Sequence, residues 1–189
     1  MLRASGDDLG GGPPPPRGTY WVVAGVLLAG PYPGSTNPAE HRAKVAALVD
    51  TGIRTFIDLT EESEKNLAGR PFEPYEHLVS ESCRDSPAVC LRFAIRDLSV
   101  PAPEQMVATL DAIDESLQAD RPVYVHCWGG VGRTGLVVGC WLIRHALARG
   151  NNVLETIRYL RRNERERGSH PSPETEAQRR FLLAWYERT

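Results

Sequence analysis

At 189 residues, 41% hydrophobic and 24% charged, the chain is long enough for one globular domain with a real core and cramped for two. A formal net charge of -2 argues against a dedicated nucleic-acid binder or membrane-surface protein, so no nucleic-acid partner is expected. The longest early apolar stretch, Tyr20 to Ala29, is about half the length of a membrane-spanning helix and no secretory cleavage pattern marks it, so no membrane insertion and a cytoplasmic location are expected.

Residues 1–18, with their Gly-Gly-Gly-Pro-Pro-Pro-Pro run, have little to bury and read as a disordered tail ahead of a domain over 19–189. Tyr20 to Ala29 reads as strand material with a hairpin around Gly25, closed by a turn at Pro31 to Gly34. Asn37 and Pro38 signal a helix start, Val45, Leu48 and Val49 give that helix its apolar stripe, and Gly52 stops it. Ile53 to Leu59 reads as a buried strand, and Thr60 to Ser86, polar and broken by prolines, as a long loop.

A strand over Cys90 to Ile95, a loop from Asp97 to Pro103, an amphipathic helix over Pro103 to Gln118 and a buried strand at Val123 to Val125 make a βαβ unit. Its crossover puts the loop after each strand at one edge of the sheet, so Asp97 and Cys127 are delivered to the same crevice. Leu136 to Leu142 reads as a buried helix ending at Gly150, and Val153, Ile157 and Leu160 mark another. Arg161 to Arg167, interleaved with Glu164 and Glu166, reads as a solvated helix end. Ser172 with Pro173 caps a last helix with Ala177, Phe181, Ala184 and Trp185 facing the core.

The chemistry concentrates at Val123 to Gly135, where an apolar strand feeds a turn with glycine at 129, 130 and 132 and then a helix. Backbone N–H groups converging there, with a helix N-terminus behind them, form an anion cradle with Cys127 at its floor and Arg133 at its end. Such surroundings favour a thiolate, and the planar fork of an arginine holds two phosphoryl oxygens at once. The cysteine-arginine spacing alone proves nothing, because Cys90 and Arg96 share it across a stretch that alternates like a strand and contains no glycine. Attack on phosphorus expels an oxyanion that needs a proton, and Asp97 is the acid placed to give it and then to activate water. That chemistry needs no cofactor and no metal. The four cysteines fit neither zinc-ligand spacing nor a disulfide framework, and Cys83, Cys90 and Cys140 read as reduced packing or loop residues.

His126-Cys-x-x-Gly-x-x-Arg-Thr134 resembles the signature of the cysteine-dependent protein tyrosine phosphatase superfamily, and Arg96-Asp97-Leu-Ser-Val-Pro101 resembles the mobile acid loop of its smaller members. The likeness is closest to small bacterial dual-specificity-like tyrosine phosphatases and runs from about Trp21 to Trp185. It implies a single α/β domain with a central mixed, largely parallel sheet flanked by helices. It further implies Cys127 as nucleophile, Arg133 as phosphate clamp, Asp97 as acid and base, and amides of Trp128, Gly129, Gly130, Val131 and Gly132 on the phosphate. Thr134 would donate to the cysteine sulfur and His126 would brace the loop. Glu174-Thr-Glu-Ala-Gln178 resembles the family's Gln-Thr-x-x-Gln element, which would make Gln178 a residue that orients the hydrolytic water, against a surface position on the last helix.

The expected substrate is a phosphorylated protein or peptide carrying phosphotyrosine, with phosphoserine and phosphothreonine as further candidates. Alternatives are a phosphoinositide, inositol-phosphate or RNA phosphatase with the same chemistry, or a catalytically silent phosphate-binding module. Acidic Glu61, Glu62 and Glu64, if they border the mouth, disfavour a polyanionic substrate.

Overall fold

One sheet of five short strands runs through the computed structural model, which describes residues 9–66, 68–83, 87–164 and 168–186. β1 (Tyr20–Val23) and β2 (Leu27–Gly30) form the expected antiparallel hairpin, with Gly25 at φ +70° in its turn. β3 (Thr55–Asp58), β4 (Val89–Arg92) and β5 (Val123–His126) add in parallel, giving the order β1-β2-β5-β3-β4. The sheet is therefore mixed and largely parallel, as expected. β5 lies at its centre between β2 and β3, buried along its whole length, which its unbroken apolar run requires.

The alternation of side chains sorts the core into two layers. Trp21, Leu28, Phe56 and Tyr124 pack against α1 (Pro38–Asp50) and α2 (Glu76–Ser82) on one face. Leu27, Ala29, Ile57, Val123 and Val125 pack on the other face against α3 (Pro103–Gln118), α4 (Gly132–Arg144), α5 (Asn152–Leu160) and α6 (Glu176–Leu183). Asn37 caps α1 through bonds from the Ala39 and Glu40 amides, and α3 buries Met106, Leu110, Ile113 and Leu117 as its spacing predicts. Each fully buried side chain of that kind contributes about 1.5–3 kcal/mol. Among the described residues no helix is long and apolar enough to cross a membrane.

Several elements depart from the sequence reading. The region 60–86, read as loop, contains α2, whose Leu78 and Val79 are buried beneath α1. α4 ends at Arg144 rather than running to Gly150, because the amides of Leu147 and Ala148 turn back onto the Leu142 carbonyl and Ala146 takes a left-handed φ of +56°. α6 is capped by Thr175 and not by Ser172, whose hydroxyl instead donates to the Val131 carbonyl. Its inward face is Gln178, Leu182 and then Trp185, so Ala177 and Ala184 are exposed. Arg161 is buried, not solvated, and donates to the His170 carbonyl, while 165–167 lie outside the described residues. Of the segment read as a tail, 1–8 also lie outside them. Residues 9–18 run beside β1, with Leu9 bridged to Val23 and the Trp21 indole donating to the Pro13 carbonyl.

The register has one consequence for chemistry. Gly30, His126, Asp58 and Arg92, the last residues of β2, β5, β3 and β4, stand in one row across the sheet. The four loops that follow them open onto the same edge, where ligands of parallel sheets bind.

Candidate active site

The turn between β5 and α4 is braced from two sides. From the β2 side, the Tyr32 amide donates to the Trp128 carbonyl at 3.0 Å, and Gly130 sits at φ +68° against the chain at Gly30 and Pro31. A Cβ on Gly130 would lie 2.5 Å from the Gly30 carbonyl carbon, so only glycine fits. From the α6 side, Ser172 Oγ donates to the Val131 carbonyl at 2.7 Å, and the close approach of Ser172 also explains glycine at 135. α4, like α2, α3 and α5, begins without a capping side chain, and because it starts at Val131 and Gly132, directly after the turn, its first amides can meet a ligand in the cradle.

Cys127 stands at the floor of this turn, 3% exposed, directly after β5. Arg133 lies in the first turn of α4 and is 2% exposed. Its guanidinium is gripped by both oxygens of Glu64, Nη1 to Oε2 at 2.6 Å and Nη2 to Oε1 at 2.7 Å. Nη1 also donates to the Ile95 carbonyl at 3.0 Å and, more weakly, to that of Leu59 at 3.4 Å, and Nη2 meets Asp97 Oδ1 at 2.9 Å. Among the described residues nothing accepts a hydrogen bond from Nε. Burial works against the charge, but the bonds from Glu64 and the fields of Cys127, Glu64 and Asp97 outweigh it and raise the guanidinium's affinity for its proton. The Nη1–Nη2 edge is thus spent on Glu64, and the other fork, Nε with the outer Nη2 hydrogen, is the one an oxyanion can take, with Asp97 beside it as an ion-pair partner.

Asp97 reaches the site as its topology predicts. The Phe93 and Ile95 amides extend the pairing of β4 with β3 through the Asp58 and Leu59 carbonyls, and the chain then turns at Arg96 to Ser99, closed by Ser99 N to Arg96 O at 3.0 Å. Asp97 is 45% exposed and has solvent access that Cys127 lacks. Gln178 is buried rather than on the surface. Its Oε1 accepts from the Glu174 and Thr175 amides and its Nε2 donates to the Ser99 carbonyl.

His126 does not face the cradle opening. It is fully buried among Tyr32, Tyr75 and Tyr124, shares a 2.8 Å hydrogen bond with the Tyr75 hydroxyl, and is held neutral because burial lowers its pKa. Thr134 is buried with a hydroxyl that has no hydrogen-bond partner among the described residues. Trp128 and Gly129 are half-buried at the rim, where Trp128 approaches Phe72 and Phe72 stacks on Tyr32. The second cysteine-arginine pair comes to nothing. Cys90 lies in β4, and burial, with Glu76 and Asp58 nearby, pushes its thiol up to about 12.

Sequence reasoning missed Glu64 as the partner of Arg133, and Asp58, whose oxygens take Thr60 and Arg92 beneath the same edge. The parallel topology was the available signal for both, since the loop after β3 had to reach the edge that β4 and β5 serve. Glu61 and Glu62 line a neighbouring cavity of about 490 Å³ together with Tyr32, Phe72 and Arg92.

Protein 067L of Invertebrate iridescent virus 3, whose name assigns it provisionally to the tyrosine phosphatases, is 31% identical over 126 residues, 65% of this chain. The chain spans 44% of that relative's length. Kinase associated phosphatase, solved with serine in place of its catalytic-site cysteine, superposes with a TM-score of 0.64 at 19% identity, covering 85% of this chain and 89% of that one. PTPMT1, solved in complex with PI(5)P, gives 0.61 at 19% identity over 84% of this chain and 88% of that one. The profile of a family described as "Polymorphic toxin system, DSP-PTPase phosphatase" (Tc-R-P) matches residues 30–147, from the end of β2 through the cradle and past α4. The chain belongs to this phosphatase family, within the cysteine-dependent protein tyrosine phosphatase superfamily.

Proposed function

We propose that the chain hydrolyses phosphomonoesters through a cysteinyl-phosphate on Cys127, with phosphotyrosine in proteins or peptides as the main substrate and phosphoserine and phosphothreonine as further ones. The observation that carries this reading is the 2.9 Å contact of Asp97 with Arg133, an acid resting on the clamp of the cradle that Cys127 opens. A phosphate dianion entering the cradle takes the Nε–Nη2 fork of Arg133 and the amides from Trp128 to Gly132. It displaces Asp97 from Nη2 as it does so. Asp97, once protonated, faces the leaving oxygen while the Cys127 sulfur attacks phosphorus and the P–O bond breaks. The carboxylate left behind then takes a proton from water, which attacks phosphorus and releases Cys127. In this scheme Thr134 hydrogen-bonds the departing sulfur, and His126 acts only by bracing the strand end.

A second reading, hydrolysis of phosphoinositides or inositol phosphates, draws on the solved complex of PTPMT1 with PI(5)P. Glu61 and Glu62 beside the mouth count against it, because they repel additional phosphates. Rates on phosphotyrosine, phosphoserine and phosphothreonine peptides, compared with those on soluble inositol phosphates and a phosphoinositide in mixed micelles, test the choice. Faster turnover of phosphotyrosine peptide is expected. A higher kcat/KM on the inositol compounds would transfer the assignment to the second reading.

A further inference from the structure

The turn that carries Asp97 does not hold itself. Its second central residue, Leu98, takes a left-handed φ of +59°, disfavoured for any residue with a Cβ, and its side chain is 53% exposed, so burial gives little in return. What meets the turn is the N-terminus of α6. Thr175 Oγ1 donates to the Leu98 carbonyl at 3.3 Å, and Gln178 Nε2 donates to the Ser99 carbonyl at 3.0 Å. The orientation of the Gln178 carboxamide is fixed by its other end. Oε1 accepts from both the Glu174 and Thr175 amides, at 3.1 Å each, so a flipped carboxamide would lose both bonds and face the Ser99 carbonyl with an oxygen. Thr175 and Gln178 also form a reciprocal capping box, which ties the pair to α6 itself. The same carboxamide lies against the cradle, since a Cβ on Gly132 would be 3.0 Å from Oε1.

We infer that Thr175 and Gln178 are positioning residues that latch the acid loop over the cradle, so that Gln178 serves the protonation of the leaving group rather than the orientation of the hydrolytic water. The inference rests on Asp97 being the acid. An amide that orients a nucleophilic water accepts one of its protons so that a lone pair faces phosphorus, whereas both acceptor sites of this Oε1 are committed within the protein and only one Nε2 hydrogen is left. The latch also explains why the helix cap and the acid loop, about eighty residues apart in sequence, share hydrogen bonds whose breaking would let Leu98 relax.

The test uses the full chain and two substrates, phenyl phosphate, whose leaving group needs a proton, and 2,4-dinitrophenyl phosphate, whose leaving group does not. With Gln178→Met, kcat/KM on phenyl phosphate should fall by about 10–100-fold, part of the 10²–10⁴ typical of a general acid, and on the dinitrophenyl ester by less than about threefold. Thr175→Val should reproduce that pattern in weaker form and Thr175→Ser should restore it, which keeps the test decisive if Gln178→Met folds poorly. Equal losses on both substrates in the folded variants would overturn the latch. So would unchanged kcat/KM accompanied by a burst of dinitrophenolate, the sign that only phosphoenzyme hydrolysis was slowed. Asp97→Ala, run in parallel, separates the two assignments. If it lacks the leaving-group dependence, both the acid reading and the latch fall; if it shows the dependence and the α6 variants do not, the latch alone falls.

Discussion

Glu64 grips Arg133 with both carboxylate oxygens, at 2.6 and 2.7 Å, in a contact where the glutamate side chain is 8% and the arginine 2% exposed. The pair fixes which edge of the guanidinium is left for a ligand. Glu64→Gln keeps the shape and removes the charge, leaving Arg133 with Asp97 and two carbonyls. Breaking a buried ion pair of this kind costs about 3 kcal/mol, at the low end of the usual range because those partners remain. Urea denaturation should register that loss, and kcat/KM on an aryl phosphate should drop about 10–100-fold as the fork loses its alignment. A variant with normal stability and normal kcat/KM would show the contact to be incidental.

Asp97 forms an ion pair with Nη2 of Arg133 at 2.9 Å, so in the proposed scheme it competes with a bound phosphate for the charge of the same guanidinium. Asp97→Ala should therefore lower kcat on phenyl phosphate by about 10²–10⁴, while inorganic phosphate inhibits as well as before or better. Parallel loss of turnover and of phosphate binding would remove Asp97 from the acid's role.

Gly130 is where the cradle meets the loop after β2, with no room between them. Gly130→Ala forces a left-handed alanine into the Gly30–Pro31 backbone, a cost of about 3 kcal/mol when strain and overpacking are combined. Thermal unfolding should show a lower Tm and the activity should be lost. An active variant of unchanged Tm would mean that the turn is loosely held.

His126 makes stability depend on pH in a definite direction. Burial lowers its pKa in the folded protein, whereas an unfolded histidine titrates near about 6.5. Below that value the unfolded chain binds the proton and the folded chain does not, so stability is full above about pH 6.5 and falls as pH drops toward the lowered folded value. The urea midpoint of the wild type should decline between pH 7.5 and 5.5 more steeply than that of His126→Gln. Equal slopes would show that His126 takes up its proton without cost.

The strand, glycine turn and helix around Cys127 were legible because each follows from local chemistry: an apolar run, residues that accept left-handed or crowded backbone, and a helix of small and apolar residues. Asp97 was legible only through topology. Glu64 was not singled out, because Glu61, Glu62 and Glu64 look alike as a polar loop, and only the folded chain distinguishes the carboxylate on Arg133 from two that line the adjoining cavity. The start of the last helix was misread for a related reason. Ser172 and Thr175 can both cap, and the choice was made by the Val131 carbonyl, which claims the Ser172 hydroxyl. Gln178 could be assigned a role by resemblance, but its orientation depends on Ser99, far away in sequence and adjacent in space.

The nucleophile is the assignment on which the rest depends, and Cys127→Ser tests it while leaving the cradle, Arg133 and Asp97 in place. Hydrolysis of 4-nitrophenyl phosphate in the presence of a metal chelator should be measurable for the wild type and vanish for Cys127→Ser, which should still bind tungstate in a calorimetric titration. Retained turnover in Cys127→Ser would contradict the cysteinyl-phosphate mechanism.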